Sequence, residues 1–239
     1  MIKDYTNYPI IIIGVPRSGT SMVAGIINIC GAWKGNTGGF HKYNVKGMFE
    51  NYIVREKLIK PILRNMKVDP LGQYPLPETN NIKIPVDFKA KMMGILAAQE
   101  WDYKTPWMIK EPKITLIWPV IHYHFPNAKW VIVRRKTPDI INSCIRTGFM
   151  RAYSKLDIQQ RVKAKDEKEG WLYWVHKHEE KFVELIQEGA NVKVVWPERM
   201  INSDYGQIKD TIEWLGLDWK EKDVIDFIEP KLWKARRHR

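Results

Sequence analysis

The chain has 239 residues, and 44% of them are hydrophobic, which is enough for a sizeable core and argues against an intrinsically disordered protein. The formal net charge is +12, which indicates an anionic partner such as a nucleic acid, an acidic membrane surface or a nucleotide. The two cysteines, Cys30 and Cys144, are far apart, which excludes a disulfide framework and a cysteine-based zinc site. Because no apolar run approaches the roughly 18 residues of a membrane span, we expect a soluble, cytoplasmic protein.

Strand and helix patterns alternate along the chain. Residues 9–15 form a β-branched run without polar alternation, which is typical of a strand buried on both faces of a parallel sheet. Further strands are predicted at 107–109, 128–135 and 191–196. Helices are predicted at 22–29, 49–66, 87–102, 114–125, 168–188, 205–215 and 221–228, and one more begins with Thr137 as N-cap and Pro138 as first helical residue.

This alternation predicts an α/β fold with three layers, in which helices cover both faces of a mostly parallel central sheet. No internal repeat or linker interrupts residues 1–239, so we expect a single domain. The longest irregular stretch, residues 67–87, contains several prolines. Loops of that length in compact domains tend to be binding segments or lids.

A phosphate-loop pattern follows the first predicted strand. Residues 14–21, GVPRSGTS, match the spacing G-x-x-x-x-G-x-[ST], with Thr20 at the position of the usual lysine. Because that lysine reaches the β- and γ-phosphates in P-loop enzymes, its loss argues against ordinary ATP or GTP hydrolysis. No acidic strand end stands ready to hold Mg²⁺ either, so no metal is expected. A P-loop kinase or NTPase of another class is the alternative.

The loop keeps the chemistry of an anion site without the lysine. Backbone N–H groups from Ser18 to Ser21 belong to a predicted helix N-terminus, where the helix dipole favours an anion. Gly19 lets the backbone approach a phosphate closely, and the planar fork of Arg17 suits phosphate oxygens. The hydroxyls of Ser18, Thr20 and Ser21 can donate to the same oxygens. The alternative is a Ser/Gly turn that serves only as a helix cap.

A second basic motif follows the strand predicted at 128–135. Arg135 stands at the carboxyl end of this strand, and Ser143 follows on the next predicted helix. Ligands of α/β sheets bind beyond the carboxyl ends of the strands. Arg135 and Ser143 are therefore predicted to converge on a second phosphate, away from the first. The alternative is a basic strand end and a helix serine that bind nothing.

Several segments resemble those of the sulfotransferase family. Residues 16–21 look like its 5′-phosphosulfate loop, and residues 135–143 look like its 3′-phosphate motif, in the same order and at a fitting distance. Three other segments show weaker similarities. Residues 44–51, N-V-K-G-M-F-E-N, resemble the N-x-K-G-x-F-E segment of bacterial and carbohydrate-type members, and residues 110–113, K-E-P-K, resemble its K-[DE]-P segment. Residues 194–200, V-V-W-P-E-R-M, followed by L-G-L at 215–217, resemble its Y-E-D-[LM] … L-G-L region. In that last segment Pro197 replaces the tyrosine and Arg199 the aspartate.

The resemblance implies a P-loop nucleotide-kinase-like fold and transfer of a sulfuryl group from 3′-phosphoadenosine-5′-phosphosulfate (PAPS) to a hydroxyl or amine, with adenosine 3′,5′-bisphosphate (PAP) as product. By this analogy Arg17 binds the 5′-phosphate and stabilises charge on the leaving oxygen. Arg135 and Ser143 hold the 3′-phosphate, and the family requires no metal for transfer. The implied donor-binding residues are Arg17, Ser18, Gly19, Thr20, Ser21, Arg135 and Ser143.

The acceptor needs a general base near the sulfur. Glu50 is the first choice, because it starts the helix after the Gly-rich loop and resembles the glutamate of the G-x-F-E pattern. Its alternative role is that of a carboxylate favoured by the helix dipole. His41 is the rival base, since cytosolic members use a histidine, although a lone histidine in such a loop is often plain surface. Lys110 is either an assistant to the transferring group or a structural residue.

Basic residues also cluster at the C-terminus. They are Lys231, Lys234, Arg236, Arg237, His238 and Arg239. In some family members a late basic loop touches the 3′-phosphate, so Lys234 or Arg236 is a candidate contact; the alternative is a solvated tail. A basic nucleic-acid binder is a third hypothesis, but no RNA or DNA module is recognisable, so nucleic acid is not the expected partner. The expected acceptor is a small molecule or a carbohydrate.

Overall fold

A four-stranded parallel sheet forms the centre of the fold. The computed structural model of the chain describes residues 4–38, 44–148 and 150–233. The strands are β1 (Ile10–Gly14), β2 (Met108–Lys110), β3 (Lys129–Val133) and β4 (Asn191–Val195). They lie in the order β2-β1-β3-β4, and all three pairings are parallel. The carboxyl ends of the four strands therefore meet at one edge of the sheet.

Helices connect the strands and flank the sheet. They are α1 (Thr20–Ile29), α2 (Tyr52–Val54), α3 (Lys60–Asn65), α4 (Phe88–Ala97), α5 (Trp118–His124), α6 (Thr137–Thr147), α7 (Leu156–Arg161), α8 (Glu167–Gln187), α9 (Pro197–Ile201), α10 (Gly206–Leu215) and α11 (Glu221–Phe227). A π-helical turn at Arg55–Ile59 joins α2 to α3. Short 3₁₀ turns lie at Thr79–Asn81, Pro112–Ile117, Ala152–Ser154 and Pro230–Leu232.

Two hydrophobic layers enclose the sheet. Because successive strand side chains point to opposite faces, Ile11 and Ile13 pack on one side of β1, and Ile10 and Ile12 pack on the other. The first layer includes buried side chains of α3, α4, α5, α6 and α8, and the second includes those of α1, α10 and α11. The predicted α/β fold, with helices on both faces of a parallel sheet, is confirmed.

The element boundaries differ from the predictions in detail. The helix predicted at 49–66 begins only at Tyr52, because Asn51 caps it by accepting from the Val54 N–H at 3.2 Å. The helix predicted at 87–102 ends at Ala97, where the chain turns through Glu100 in the left-handed region (φ 64°).

Two further differences concern proline and short helices. Thr137 is not the N-cap of α6, since the Lys136 carbonyl already accepts the first helical hydrogen bond, from Ile140 N at 3.2 Å. Pro138 is therefore the second helical residue. The helices α7 and α9, of six and five residues, were not predicted. No helix in the described ranges combines the length and the apolar character needed to cross a membrane.

Candidate active site

A cavity of about 670 Å³ opens at the carboxyl ends of the strands. Its described walls carry many more cations than carboxylates. The cations are Arg17, Lys46, Arg55, Lys60, Lys110, Lys113, Arg135 and Arg146, and the carboxylates are Glu50 and Glu229. Cavities lined by one sign of charge concentrate ligands of the opposite sign, so this arrangement selects an anion.

The phosphate loop, residues 14–21, wraps the end of β1. Its backbone turns sharply, with Arg17 (φ 79°) and Gly19 (φ 97°) both in the left-handed region. The first turn of α1 then presents the N–H groups of Thr20 and Ser21, which have no intrahelical acceptor so close to the helix start. The loop thus directs backbone N–H groups into a cavity lined by Gly19, Thr20 and Ser21.

Ser18 is a loop residue whose hydroxyl was predicted to donate to phosphate oxygens. Its N–H donates to the Val15 carbonyl at 3.0 Å and closes the turn. Its side chain is fully buried, and a Cβ at Gly14 would come within 2.8 Å of the Ser18 Oγ. Ser18 is not among the residues that line the cavity, and its buried Oγ makes no hydrogen bond within the described chain.

Gly14 is required by close backbone packing. A Cβ at this position would lie 2.6 Å from the carbonyl oxygen of Val133 on the neighbouring strand, a distance that only backbone movement could relieve. The absence of a side chain lets the phosphate loop start directly beside the end of β3.

The loop and the Arg135–Ser143 pair are linked by hydrogen bonds in both directions. The Arg17 Nε donates to the Ser143 Oγ at 3.0 Å, and the Arg135 Nη1 donates to the Arg17 carbonyl at 3.1 Å. The partners stand 126 and 118 residues apart in the sequence. The second anion site was predicted to lie away from the first, whereas the structure brings the two motifs into direct contact.

Arg135 is held on several sides. Its guanidinium carbon lies 4.1 Å from the centroid of the Trp233 ring, and its Nε lies 3.9 Å from the Glu198 carboxylate. Both Glu198 oxygens are buried and make no hydrogen bond within the described chain. Burial lowers the pKa of Arg135, and nearby Arg17 and Arg146 add to the lowering. An anion bound here would relieve this excess of positive charge.

Glu50 lies on the other side of the loop, beside the end of β2. Lys110 Nζ donates to its Oε1 at 2.6 Å, and Arg55 Nη1 donates to its Oε2 at 2.9 Å. Burial alone would raise the pKa of Glu50, but the charges of Lys110, Lys113 and Arg55 lower it to about 2. Glu50 is thus a fixed carboxylate, ionised throughout the neutral pH range.

His178 is a cavity residue that the sequence analysis missed. It is 1% exposed and lines the cavity. Its Nδ1 hydrogen-bonds to the Trp174 carbonyl at 2.9 Å, which requires a proton on Nδ1 and leaves Nε2 as the acceptor nitrogen. Burial lowers the pKa of His178 to about 4. The sequence pattern that could have indicated a buried histidine is its spacing, since His178 lies on the apolar face of α8 with Trp171 and Trp174.

Other cavity residues come from the irregular stretch and from α6. Leu71, Gly72 and Gln73, from the irregular stretch at 67–87, line the cavity. Arg146 lines the cavity as well, one helical turn after Ser143.

His41 and the basic residues from Lys234 to Arg239 lie outside the described residues. The described residues contain no cluster of three or more His, Cys, Asp or Glu side chains that could hold a metal ion.

The chain is thus an α/β protein in which a phosphate-loop pattern and a basic Arg135–Ser143 pair are hydrogen-bonded at the carboxyl edge of a parallel sheet. A family model described as the sulfotransferase family matches residues 9–221. The chain therefore belongs to the sulfotransferase family, as the resemblance predicted.

Solved structures agree on the fold. The sulfotransferase domain from the Synechococcus PCC 7002 olefin synthase is 15% identical, with a TM-score of 0.56 over 99% of this chain and 82% of that chain. The sulfotransferase domain from the curacin biosynthetic pathway is 14% identical, with a TM-score of 0.53 over 96% and 79%. No curated protein matches the chain.

Proposed function

We propose that this sulfotransferase uses PAPS as donor and transfers its sulfuryl group to a hydroxyl or amine of a small-molecule or carbohydrate acceptor. The observation that carries the proposal is the contact between the phosphate loop and the Arg135–Ser143 pair. A ligand that fills both motifs needs two anionic groups a short distance apart. The 5′-phosphosulfate and the 3′-phosphate of PAPS would supply one separate anionic group to each motif, whereas the phosphates of ATP form a single chain on the 5′ side of its ribose.

The strand order supports one orientation of the donor. Adjacent strands lie about 4.8 Å apart, and β1 stands between β2 and β3. The 3′-phosphate would lie at the end of β3, near Arg135 and Ser143, and the 5′-phosphosulfate at the end of β1. The sulfuryl group would then face the end of β2, where Lys110 and Glu50 lie.

Each motif has groups suited to its phosphate. The N–H groups of Thr20 and Ser21 and the side chain of Arg17 would bind the 5′-phosphate. Arg135 and Ser143 would bind the 3′-phosphate, and because the Ser143 Oγ accepts from Arg17, its own O–H is directed to another acceptor. Ser21 has a further role, since its Oγ donates to the Met48 carbonyl at 3.2 Å and ties the loop to the segment just before Glu50.

The proposed reaction is an in-line displacement at sulfur. A lone pair of the acceptor oxygen or nitrogen forms the new bond to sulfur, while the bond between sulfur and the 5′-phosphate oxygen breaks. The departing oxygen keeps the bonding electron pair, and Arg17 with the loop N–H groups stabilises the added charge on PAP. The proton of the acceptor passes to Glu50.

Glu50 is supported as the base by its location. Of the two carboxylates among the described cavity residues, Glu50 lies at the end of β2, whereas Glu229 lies 3.4 Å from Lys46 at another wall. The two cations on Glu50 keep it ionised and ready to accept a proton, although they also weaken its proton affinity. It would therefore hold the proton only briefly before releasing it to solvent.

Calorimetry with PAP, ADP and ATP, each with and without Mg²⁺, tests the donor assignment. PAP should bind most tightly without metal, and Arg135→Ala should remove its advantage over ADP. Arg134→Ala is the matched control, since the adjacent Arg134 pairs with Glu179 away from this cavity. Equal binding of PAP and ADP by the wild-type chain would show that the two-phosphate assignment is wrong.

The same measurements separate the two alternatives. A P-loop kinase or NTPase would bind ATP or GTP tightly and with a requirement for Mg²⁺. A nucleic-acid binder would lose affinity steeply with salt, and PAP would not compete. A screen of acceptors with labelled PAPS would then identify the acceptor class.

A further inference from the structure

Trp233 touches both anion-binding motifs. Its ring lies over the guanidinium of Arg135, 4.1 Å from ring centroid to the guanidinium carbon. The same ring packs against the phosphate loop, since a Cβ at Gly19 would come within 2.8 Å of it. Trp233 also lines the cavity. It follows the 3₁₀ turn Pro230–Leu232, to which it is fixed by a hydrogen bond from its N–H to the Pro230 carbonyl at 3.0 Å.

The contact restricts Arg135 without using its donors. An aromatic ring stacked on a guanidinium covers one flat face, while the N–H groups of the fork point outward in the plane. One of these N–H groups already donates to the Arg17 carbonyl, and the Glu198 carboxylate lies 3.9 Å from the Nε. Ring, carbonyl and carboxylate together fix the plane of the Arg135 guanidinium.

We propose that Trp233 is a positioning residue for the donor: it holds the Arg135 guanidinium in the plane that meets the 3′-phosphate and shields its face from water. This inference rests on the proposed PAPS-binding function. It also gives Gly19 a second role, because a side chain at that position would displace the ring from both motifs. Trp233 acts through Arg135, so it should affect ligands that carry a 3′-phosphate and spare those that lack one.

A double-mutant cycle between Trp233 and Arg135 tests the inference. Dissociation constants for PAP and for AMP, which lacks the 3′-phosphate, would be measured with the wild-type chain, Trp233→Ala, Trp233→Phe, Arg135→Ala and the double variant Trp233→Ala with Arg135→Ala. Trp233→Ala should weaken PAP binding by about 3- to 30-fold, the range of cation–π contacts, with little effect on AMP. Trp233→Phe should recover most of the PAP affinity.

Coupling is the decisive readout. In the Arg135→Ala background, Trp233→Ala should cause no further loss of PAP affinity. Trp214→Ala is the matched control, because Trp214 stacks on Lys129 at 5.3 Å outside the cavity and should leave both ligands unaffected. Melting temperatures of all variants would identify any loss of folding. If Trp233→Ala does not fold, Trp233→Phe, which keeps an aromatic ring, would be used in the cycle in its place.

Several outcomes would overturn the inference. Tighter PAP binding by Trp233→Ala would show that the ring obstructs the site, and an equal loss in the Arg135→Ala background would show that it acts independently of Arg135. Failure of the proposed function looks different, since the wild-type chain would then show no preference for PAP over AMP. A wild-type preference with an uncoupled cycle refutes only the role of Trp233.

Discussion

The Nε of Arg17 donates to the Oγ of Ser143 across 3.0 Å, although the two residues come from separate motifs. Arg17 belongs to the loop after β1, and Ser143 lies on the helix after β3. Adjacent parallel strands bring their carboxyl ends together, so a side chain as long as arginine can bridge them. One ligand can therefore contact both motifs, and a change in either residue should affect both.

Ser143→Ala should weaken PAP binding by about tenfold or more, because it removes a donor to the 3′-phosphate and the acceptor that holds Arg17. Since Arg17 is loosened as well, turnover should also fall, which separates this variant from one that affects ground-state binding alone. Calorimetry with PAP and steady-state kinetics would measure the two effects. Ser154→Ala is a suitable control, because Ser154 is exposed and its Oγ donates to the nearby Arg151 carbonyl at 2.8 Å. Unchanged turnover in Ser143→Ala would show that the Arg17 contact is dispensable.

Glu50→Gln should reduce turnover by at least about 10²-fold, the usual worth of general base catalysis, while PAP affinity stays the same. The amide keeps the shape of the side chain but cannot take the proton. Steady-state kinetics of Glu50→Gln, Lys110→Met and the double variant would test this. If the double variant is no slower than Lys110→Met alone, Glu50 serves only to hold Lys110, and the base must be sought at His178 or His41.

His178 should make the fold sensitive to mild acid. Burial lowers its pKa from 6.5 to about 4, so between these values the unfolded chain takes up a proton that the folded chain refuses. The free energy of unfolding is therefore not reduced by His178 above about pH 6.5. It falls as the pH drops, by about 2.5 kcal/mol at pH 4.5. Urea unfolding at several pH values would show the slope.

The variants for this pH experiment lie on one helix. His178→Met should flatten the slope between pH 6.5 and 4.5, whereas His176→Gln, at an exposed position of α8, should preserve it. Glu50 also has a depressed pKa, but its contribution is lost only below its ordinary value of 4.5. An equal slope in wild type and His178→Met would show that folding does not lower the pKa of His178.

Two glycine substitutions should change stability in opposite directions. Gly14→Ala should destabilise the fold by about 1 to 3 kcal/mol, since its Cβ would press on the backbone oxygen of Val133. Gly94→Ala should stabilise it by about 0.5 to 1 kcal/mol, because Gly94 lies inside α4 with no heavy atom within 4 Å of the added Cβ. Urea unfolding would measure both, and a neutral Gly14→Ala would disprove the close packing of β1 on β3.

The strands and long helices could be predicted because apolar periodicity determines them. All four strands lie within two residues of the predicted ranges. The short helices α7 and α9 could not be predicted in this way, since five or six residues carry too little periodicity. The π-helical turn at Arg55–Ile59 differs from an α-helix in the spacing of its backbone hydrogen bonds, which apolar periodicity does not specify.

Motif spacing could indicate some of the residues that line the cavity, but not their geometry. Motif spacing identified Arg17, Gly19, Arg135 and Ser143, all of which line one cavity. The bond between Arg17 and Ser143 depends on which strands are neighbours, and the sequence does not state that order. The burial of the Ser18 hydroxyl follows from the backbone turn at Arg17, which a sequence pattern shared by many loops does not specify.

The described residues that line the cavity range in sequence from Pro16 to Trp233. During translation the phosphate loop is therefore synthesised long before Trp233, whose ring packs against it. All four strands can pair while the final turn is still inside the exit tunnel, so a nascent chain would hold a nearly complete sheet and an uncovered Arg135. Trp233 is in this sense the last of the described cavity residues to be synthesised.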